Sequence, residues 1–243
     1  MRAMNLLLIS PDEWPSASER ALLRLQDRRA NHIRHVLQAK TGDSVRVGII
    51  NGRLGLARID HLDTREVVLD VSLDSDPPPP LPLTLLLALP RPKVLRRVLQ
   101  SCTTLGIKQI HLLNSYRVEK SYWQTPFLQP EQVQQQFLLG LEQGRDTVLP
   151  QLHLHPRFKP FVEDELPALA AGKLCLTAHP LPDSGQCPHH VTTPTLLAVG
   201  PEGGFIPYEV EKLTACGFRT VQLGPRILKV ETAVPALIGK LFL

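Results

Sequence analysis

The residue types with the most chemical potential lie in the last third of the chain. The apolar stretch Leu196 to Val199 runs straight into Gly200-Pro201-Glu202-Gly203-Gly204. Three glycines in five residues at the C-terminal end of a strand let a ligand approach the backbone closely, and such strand ends are where open α/β sheets bind ligands. This loop lacks the G-x-G-x-x-G spacing of a dinucleotide site and the Gly-Lys-Ser/Thr of a P-loop, so neither reading has its main support. A second loop, Leu223-Gly224-Pro225-Arg226-Ile227-Leu228-Lys229, leads into Glu231-Thr232-Ala233 at a helix start, where the Glu231 carboxylate suits the positive end of the helix. A third strand end, Leu176-Thr177-Ala178-His179-Pro180, completes the set. Three strand ends rich in glycine, proline and small residues, all within the last stretch of chain, predict one composite pocket.

These loops need a scaffold, and the sequence carries one in two parts. Asp76 is followed by four prolines, Pro77 to Pro80, which fix φ and remove backbone donors, so a spacer separates a first domain over residues 1–76 from a second over 83–243. In the first, Val45 to Ile50, Asn51-Gly52 and Arg53 to Ile59 read as a hairpin with a type I′ turn, followed by a strand from Val67 to Leu73. Ala30, Ile33, Val36 and Leu37 recur at helical spacing between Asp27, a candidate N-cap, and Gly42, a candidate stop. After the prolines the rhythm becomes strand, amphipathic helix, strand, the pattern of a mostly parallel sheet covered by helices. The strands are expected at Leu83–Leu89, Gln109–Leu113, Lys173–Thr177, Thr195–Val199 and Thr220–Leu223. Helices are expected from Val94 to Leu105 and near Glu131–Glu142, Pro207–Cys216 and Glu231–Phe242.

Composition sets the outer limits. With 243 residues, 43% apolar and 21% charged, the chain can bury a core, which excludes disordered and fibrous classes. The run Leu81 to Leu89 is too short for a membrane-spanning helix, and Met1 to Asp12 has too short an apolar centre for a secretory leader, so a cytosolic location is expected. Cys102, Cys175, Cys187 and Cys216 form no C-x-x-C pair and read as reduced core thiols. His153 with His155, and His189 with His190, lack zinc-ligand spacing and read as surface residues; no metal site is expected. The net charge of +4 is unevenly spread. Between Arg91 and Lys120, Arg91, Lys93, Arg96, Arg97, Lys108, Arg117 and Lys120 face a single acid, Glu119, which is a basic stretch suited to phosphates or simply a solvated helix face.

Leu-x-x-His-Pro at 176–180, Val-Gly-Pro-Glu-Gly-Gly-Phe at 199–205 and Leu-Gly-Pro-Arg-Ile-Leu-Lys-Val-Glu-Thr-Ala at 223–233 together resemble the ribosomal small-subunit methyltransferase E family, whose members methylate N3 of a uridine in 16S rRNA. Arg29 to Gly42 with Val45 to Gly52 is similar to the family's PUA-like N-terminal domain, and Leu99–Ile110, Tyr116–Lys120 and Glu142–Pro150 extend the likeness over nearly the whole chain. The resemblance implies a SPOUT-type α/β domain with a C-terminal trefoil knot beside a small PUA-like β-barrel, S-adenosylmethionine as methyl donor and a homodimer. Carried over residue by residue, the cofactor would meet Thr177, His179, Pro180, Val199, Gly200, Pro201, Gly203, Gly204, Leu223, Gly224, Ile227, Leu228, Thr232 and Ala233. The chain departs from the family pattern at Thr104, where many members have glutamate, and at Lys229, where many have arginine and thus a planar fork.

Uracil N3 is a poor nucleophile until its proton leaves, so the implied reaction needs a base or a stabiliser of the uracil anion. Arg226, Arg145 and Lys229 are candidate stabilisers, and Glu202 and Glu231 are candidate bases; residue types alone do not choose among them. RNA is expected to be gripped through phosphates by Arg28, Arg29, Arg34 and Lys40 and by Arg91, Lys93, Arg96 and Arg97. The expected partner is 16S rRNA or the small ribosomal subunit, with no DNA and no membrane. Two alternatives stand beside this reading: a SPOUT methyltransferase acting on another RNA, and an RNA-binding assembly factor that has lost turnover.

Overall fold

The computed structural model describes residues 5–15, 18–181 and 183–243. Met1 to Met4, within the stretch read for a leader, lie outside the described residues. Contacts divide the chain into two units: Met1–Pro79 with Leu138–Leu149, and Pro80–Phe137 with Pro150–Leu243.

The first unit is a five-stranded sheet in the order β1-β3-β4-β5-β2, formed by β1 (Leu7–Ile9), β2 (Arg20–Leu25), β3 (Ser44–Ile49), β4 (Leu54–Leu62) and β5 (Val67–Ser75). Alternate residues face inward, most clearly in β5, where Val67, Leu69, Val71 and Leu73 are buried, and they enclose Ile33 and Ala30 of helix α1 (Arg28–His35). The hairpin between β3 and β4 forms as expected, but its turn is not type I′. Asn51 alone adopts a left-handed backbone, φ 58°. The segment after helix α3 (Pro130–Gly144) shapes it: Asn51 N donates to the Thr147 carbonyl at 2.8 Å, and Asn51 Oδ1 accepts from Leu149 N at 2.9 Å.

Asp27 caps α1, accepting from Arg29 N at 2.8 Å. The helix stops seven residues before Gly42, because Leu37 and Ala39 take the carbonyls of His32 and Ile33 and the chain turns left-handed at Gln38, φ 50°. Arg29 requires a correction to the RNA-contact set. Only 8% exposed, it donates to the Leu8 carbonyl at 3.0 Å and to Asp27 at 2.7 Å, and it also pairs with Glu13. Burial opposes its charge, but the two carboxylates hold its pKa above the usual guanidinium value. Its donors are spent on tying the β1 backbone to the start of α1, so none is left for a phosphate.

The second unit is a parallel seven-stranded sheet in the order β10-β12-β9-β11-β6-β7-β8. Its strands are β6 (Leu83–Ala88), β7 (Gln109–Leu113), β8 (Gln151–His155), β9 (Leu174–Ala178), β10 (Gly185–Gln186), β11 (Thr195–Val199) and β12 (Arg219–Gln222). The central strands β6 and β11 are buried at every residue, as expected of parallel strands with covered faces. Helix α2 (Pro92–Thr104) buries Leu95, Val98, Leu99 and Cys102 and packs against α7 (Val230–Phe242); α6 (Pro207–Ala215) precedes β12. After β11 the chain crosses back past β9 to lay down β12 on its far side, a doubling back that a C-terminal knot requires. No helix among the described residues is long and apolar enough to cross a membrane. All four cysteines are free thiols, with Cys102, Cys175 and Cys187 buried.

His153 and His155 are half-buried rather than exposed. They lie two apart on β8, the edge strand, and so share a face with His111 of β7, whose register partner is His153. The short turns α4 (Phe158–Pro160) and α5 (Leu166–Ala170), with the wide turn Phe161–Glu165 between them, follow β8 and bring Phe161 to 3.9 Å from the His155 ring. The His111 and His153 rings stack at 4.5 Å, and His111 Nδ1 lies 3.0 Å from His155 Nε2. Glu165 is 3.7 Å from His155 Nδ1. Burial first, then the charges of His153, His155 and Lys173, push His111 down to about 4 from the ordinary 6.5. The unfolded chain therefore takes up this proton before the folded one, and the stability it contributes is complete above pH 6.5 and lost as pH falls towards 4. Melting temperature measured across that window should fall less steeply in His111→Gln than in wild type; equal slopes would show that the stack does not carry the dependence.

Candidate active site at three strand ends

Parallel pairing decides where the three loops meet. Val199 of β11 sits opposite Ala178 of β9, which in turn sits opposite Val221 of β12. The row Val221–Ala178–Val199 floors a cleft of about 280 Å³, walled by the loops that follow each strand and by Val230, Ala233 and Leu237 of α7. The lining is largely apolar. Glu202, Arg226 and His179 bring the ionisable groups.

The glycines shape the walls. A side chain at Gly200 would put its Cβ 3.0 Å from the Phe205 nitrogen and 3.2 Å from the Gly204 carbonyl carbon, both rigid backbone. The loop closes on itself through Gly204 N to the Pro201 carbonyl at 2.7 Å, with Gly204 left-handed at φ 74° and facing the His179 ring. On the opposite wall, the Ser184 hydroxyl donates to the His179 carbonyl at 2.6 Å and Gln222 Nε2 donates to the Ser184 carbonyl at 3.1 Å, tying the β9 loop to β12. Among the described residues, the backbone N–H groups of Gly224, Arg226, Ile227 and Leu228 have no hydrogen-bond partner, so this loop offers free donors beside an apolar surface.

Most of the expected cofactor residues line this cleft, including His179, Pro180, residues 199–204 and Leu223, Gly224, Ile227, Leu228 and Ala233. Two need correction. Thr177 precedes Ala178 in its strand and so points to the other face of the sheet, where its hydroxyl is buried and unpaired. Thr232 is exposed on α7 and does not line the cleft. Of the candidate catalytic groups, Glu202 and Arg226 line it. Glu231 does not; its carboxylate lies 3.9 Å from Arg97 Nη1. Arg145 belongs to the first unit, where it lines a separate hollow with Arg46 and Asp74.

Arg117, which the sequence offers only as part of a basic stretch and of the Tyr116–Lys120 likeness, has a specific place beside the glycine loop. Its guanidinium donates to the Gly203 carbonyl, and its stem occupies the space that a Cβ on Gly203 would enter, with Cδ 2.9 Å away. Glu209, 2% exposed, holds it there: the carboxylate accepts from Tyr116 N at 2.8 Å, from the Ser115 hydroxyl at 3.1 Å and from Ile206 N at 3.0 Å at the start of α6. Burial, and secondarily the charge of Arg117, lower the pKa of His179, which keeps that imidazole neutral near pH 7. Ala178, Val221, Gln222, Val230 and Leu237 also line the cleft without having been expected there; Ala178 and Val221 reach it through their register with Val199, which no local pattern reports.

The basic residues expected to meet RNA fall in two places. On α2, Arg91, Lys93, Arg96 and Arg97 are exposed, with Arg96 resting 4.9 Å above the Phe127 ring. In the first unit, Arg28 pairs with the buried Glu142 at 2.5 Å, Arg34 donates to Asn31 at 2.9 Å, and Lys40 is exposed.

The RNA methyltransferase domain family matches residues 77–241, and the RNA methyltransferase PUA domain family matches residues 25–72. Ribosomal RNA small subunit methyltransferase E of Treponema pallidum is 33% identical over 239 residues, covering 96% of this chain and 88% of that protein. The protein of the same name from Synechocystis is 27% identical over 237 residues, covering 97% and 76%. Ribosomal RNA small subunit methyltransferase E from Neisseria gonorrhoeae, solved bound to S-adenosyl methionine, shares the fold with a TM-score of 0.73 at 20% identity, over 97% of this chain and 96% of that one. A match of the methyltransferase domain to residues 77–241, joined to a 33% identical relative aligned along nearly the whole length, means that the chain belongs to the ribosomal RNA small subunit methyltransferase E family.

Proposed function

We propose that this protein transfers the methyl group of S-adenosylmethionine to N3 of a uridine in 16S rRNA, working as a homodimer in the cytosol. The observation that carries the reading is the cleft floored by Val221–Ala178–Val199, with its apolar walls and free backbone donors. A purine nucleoside needs a flat apolar slot and backbone hydrogen bonds, which Leu223, Ile227 and Leu228 and the N–H groups of the 224–228 loop fit. Gly200 and Gly203 let the loop fold closely against its own backbone and the Arg117 stem, which shapes the wall along which an amino-acid tail would pass. Bound there, the sulfonium supplies an electrophilic methyl group, which needs no metal.

The chain's own residues supply the remaining chemistry in this reading. Glu202, the carboxylate that lines the cleft, takes the N3 proton. Arg226, which lines the cleft, and Arg117, held against the Gly203 loop that walls it, present positive charge to the anion that forms. The α2 face with Arg91, Lys93, Arg96 and Arg97 meets phosphates, as do Arg28, Arg34 and Lys40 in the first unit, so selection of one uridine rests on RNA shape and an unpaired base. The domain division we propose is a PUA-like RNA-binding domain over 1–76, a proline linker over 77–82 and a SPOUT methyltransferase domain over 83–243.

Two experiments test this. Overpacking against rigid backbone costs roughly 1–3 kcal/mol and must shift the loop that walls the cleft, so Gly200→Ala should weaken S-adenosylmethionine binding about fivefold or more. Gly203→Ala meets only the flexible stem of Arg117, so calorimetry should find its cofactor affinity nearer wild type. Equal affinities for both variants and wild type would remove the cofactor from this cleft. Methyl-labelled S-adenosylmethionine incubated with unmodified small subunits, naked 16S rRNA or bulk tRNA should yield labelled 3-methyluridine from ribosomal RNA. Label in tRNA would overturn the substrate, and cofactor binding without transfer to any RNA would favour an assembly factor.

A further inference from the structure

The first unit contains a second place where an anion would be held, and it is built around a strained arginine. Arg145 follows directly on the last residue of α3 and adopts a left-handed backbone, φ 56°. Helices commonly end on a residue in this conformation, but glycine or asparagine takes it, since a Cβ raises its energy. Here a glycine stands one position too early: Gly144 keeps the helical backbone and Arg145 bears the strain. A strained residue persists only where its surroundings over-determine it, and such residues gather at ligand sites.

The surroundings do over-determine it. Asp146 N donates to the Leu141 carbonyl at 3.2 Å, and Asp146 Oδ1 accepts from Val148 N at 2.9 Å. Thr147, fully buried, accepts from Asn51 N at 2.8 Å and donates its hydroxyl to the Gly52 carbonyl at 2.5 Å, while its methyl fills the space beside Gly48. Residues 146–149 are thus riveted to the β3–β4 turn, and the exposed Arg145 is carried to the mouth of a hollow of about 210 Å³ that Arg46 of β3 also lines.

Arg20, Arg24, Arg28, Arg29 and Arg53 are each paired with a carboxylate. Among the described residues, the guanidinium of neither Arg46 nor Arg145 has a hydrogen-bond or ion-pair partner. Of the described arginines of this unit, Arg34, Arg58 and Arg65 also lack an ion pair, but Arg46 and Arg145 alone line a common hollow. Asp74 also lines the hollow, and its carboxylate accepts from the Ser75 hydroxyl at 2.9 Å, leaving two cations to one anion. Two planar guanidinium forks at one opening suit a tetrahedral oxyanion, which each can grip bidentately.

We propose that Arg46 and Arg145 form a clamp for a backbone phosphodiester of the RNA substrate, so that Arg145 binds substrate rather than taking part in the methyl transfer. This rests on the reading of the protein as an RNA methyltransferase. The strain makes the test unusually sharp, because Arg145→Gly removes the cation and relieves the backbone at once. Arg145→Gly should melt at a higher temperature than wild type yet bind 16S rRNA about tenfold more weakly, the order expected for one charged hydrogen-bonding group. The slope of log affinity against log salt should drop by about one for Arg145→Gly and again when Arg46→Ala is added, with S-adenosylmethionine affinity as in wild type.

Wild-type RNA affinity and salt slope in the folded double variant would overturn the clamp while leaving the methyltransferase reading standing. If wild type itself binds no RNA, both fail together. Inorganic phosphate that protects the Arg145 guanidinium in a chemical-modification assay, where 16S rRNA does not, would assign the hollow to free phosphate and overturn the proposal.

Discussion

The candidate site depends on one constraint, the parallel register that sets Val221, Ala178 and Val199 side by side at the ends of three strands. Parallel pairing aligns C-terminal ends, so three loops far apart in the chain must leave the sheet at the same edge. Shifting β9 by one residue would turn Ala178 to the opposite face and bring Thr177, with its hydroxyl, to the cleft floor. The register is held by burial. β6 and β11 present apolar side chains on both faces, and each fully buried leucine or valine is worth roughly 1.5–3 kcal/mol, so slippage would expose several at once.

Polar groups then fix what the sheet has brought together. The buried Glu209 is a single carboxylate accepting from two different segments, the 115–116 backbone and the start of α6, and it thereby sets Arg117 against Gly203. Ser184 does the equivalent on the other side, joining the β9 loop to β12. Unpaired buried carboxylates and hydroxyls are costly, so each of these groups constrains its loops strongly. The cleft walls are therefore shaped by residues that would never touch a ligand.

In the first unit the same logic separates arginines by role. Arg29 spends its donors on Glu13, Asp27 and the Leu8 carbonyl and locks the entry to α1. The guanidinium groups of Arg46 and Arg145 spend none. Sequence treats these residues alike, since all are arginines near other polar residues. Only their neighbours in space distinguish a structural cation from one available to a phosphate.

Periodicity and punctuation determined much of this protein by themselves. Thr195–Val199 and Gln109–Leu113 form strands with the bounds read from their apolar runs, and α2 follows its buried stripe, because local patterns of period two and 3.6 report directly on which face is covered. The glycine loops were legible for the same reason, since Gly200 and Gly204 answer to local backbone demands. β8 was not legible: in this short edge strand the alternating Leu152 and Leu154 lie on the face opposite His153 and His155, and Leu154 is exposed, so the apolar positions do not report the covered face. Tertiary structure alone decided that Thr177 and Glu231 do not line the cleft, that Arg117 is bound to the Gly203 loop, and that residues 146–149 fasten to a turn almost a hundred positions earlier. Each of those outcomes depends on contacts between distant segments, and the free energy of such a contact is not contained in either segment by itself.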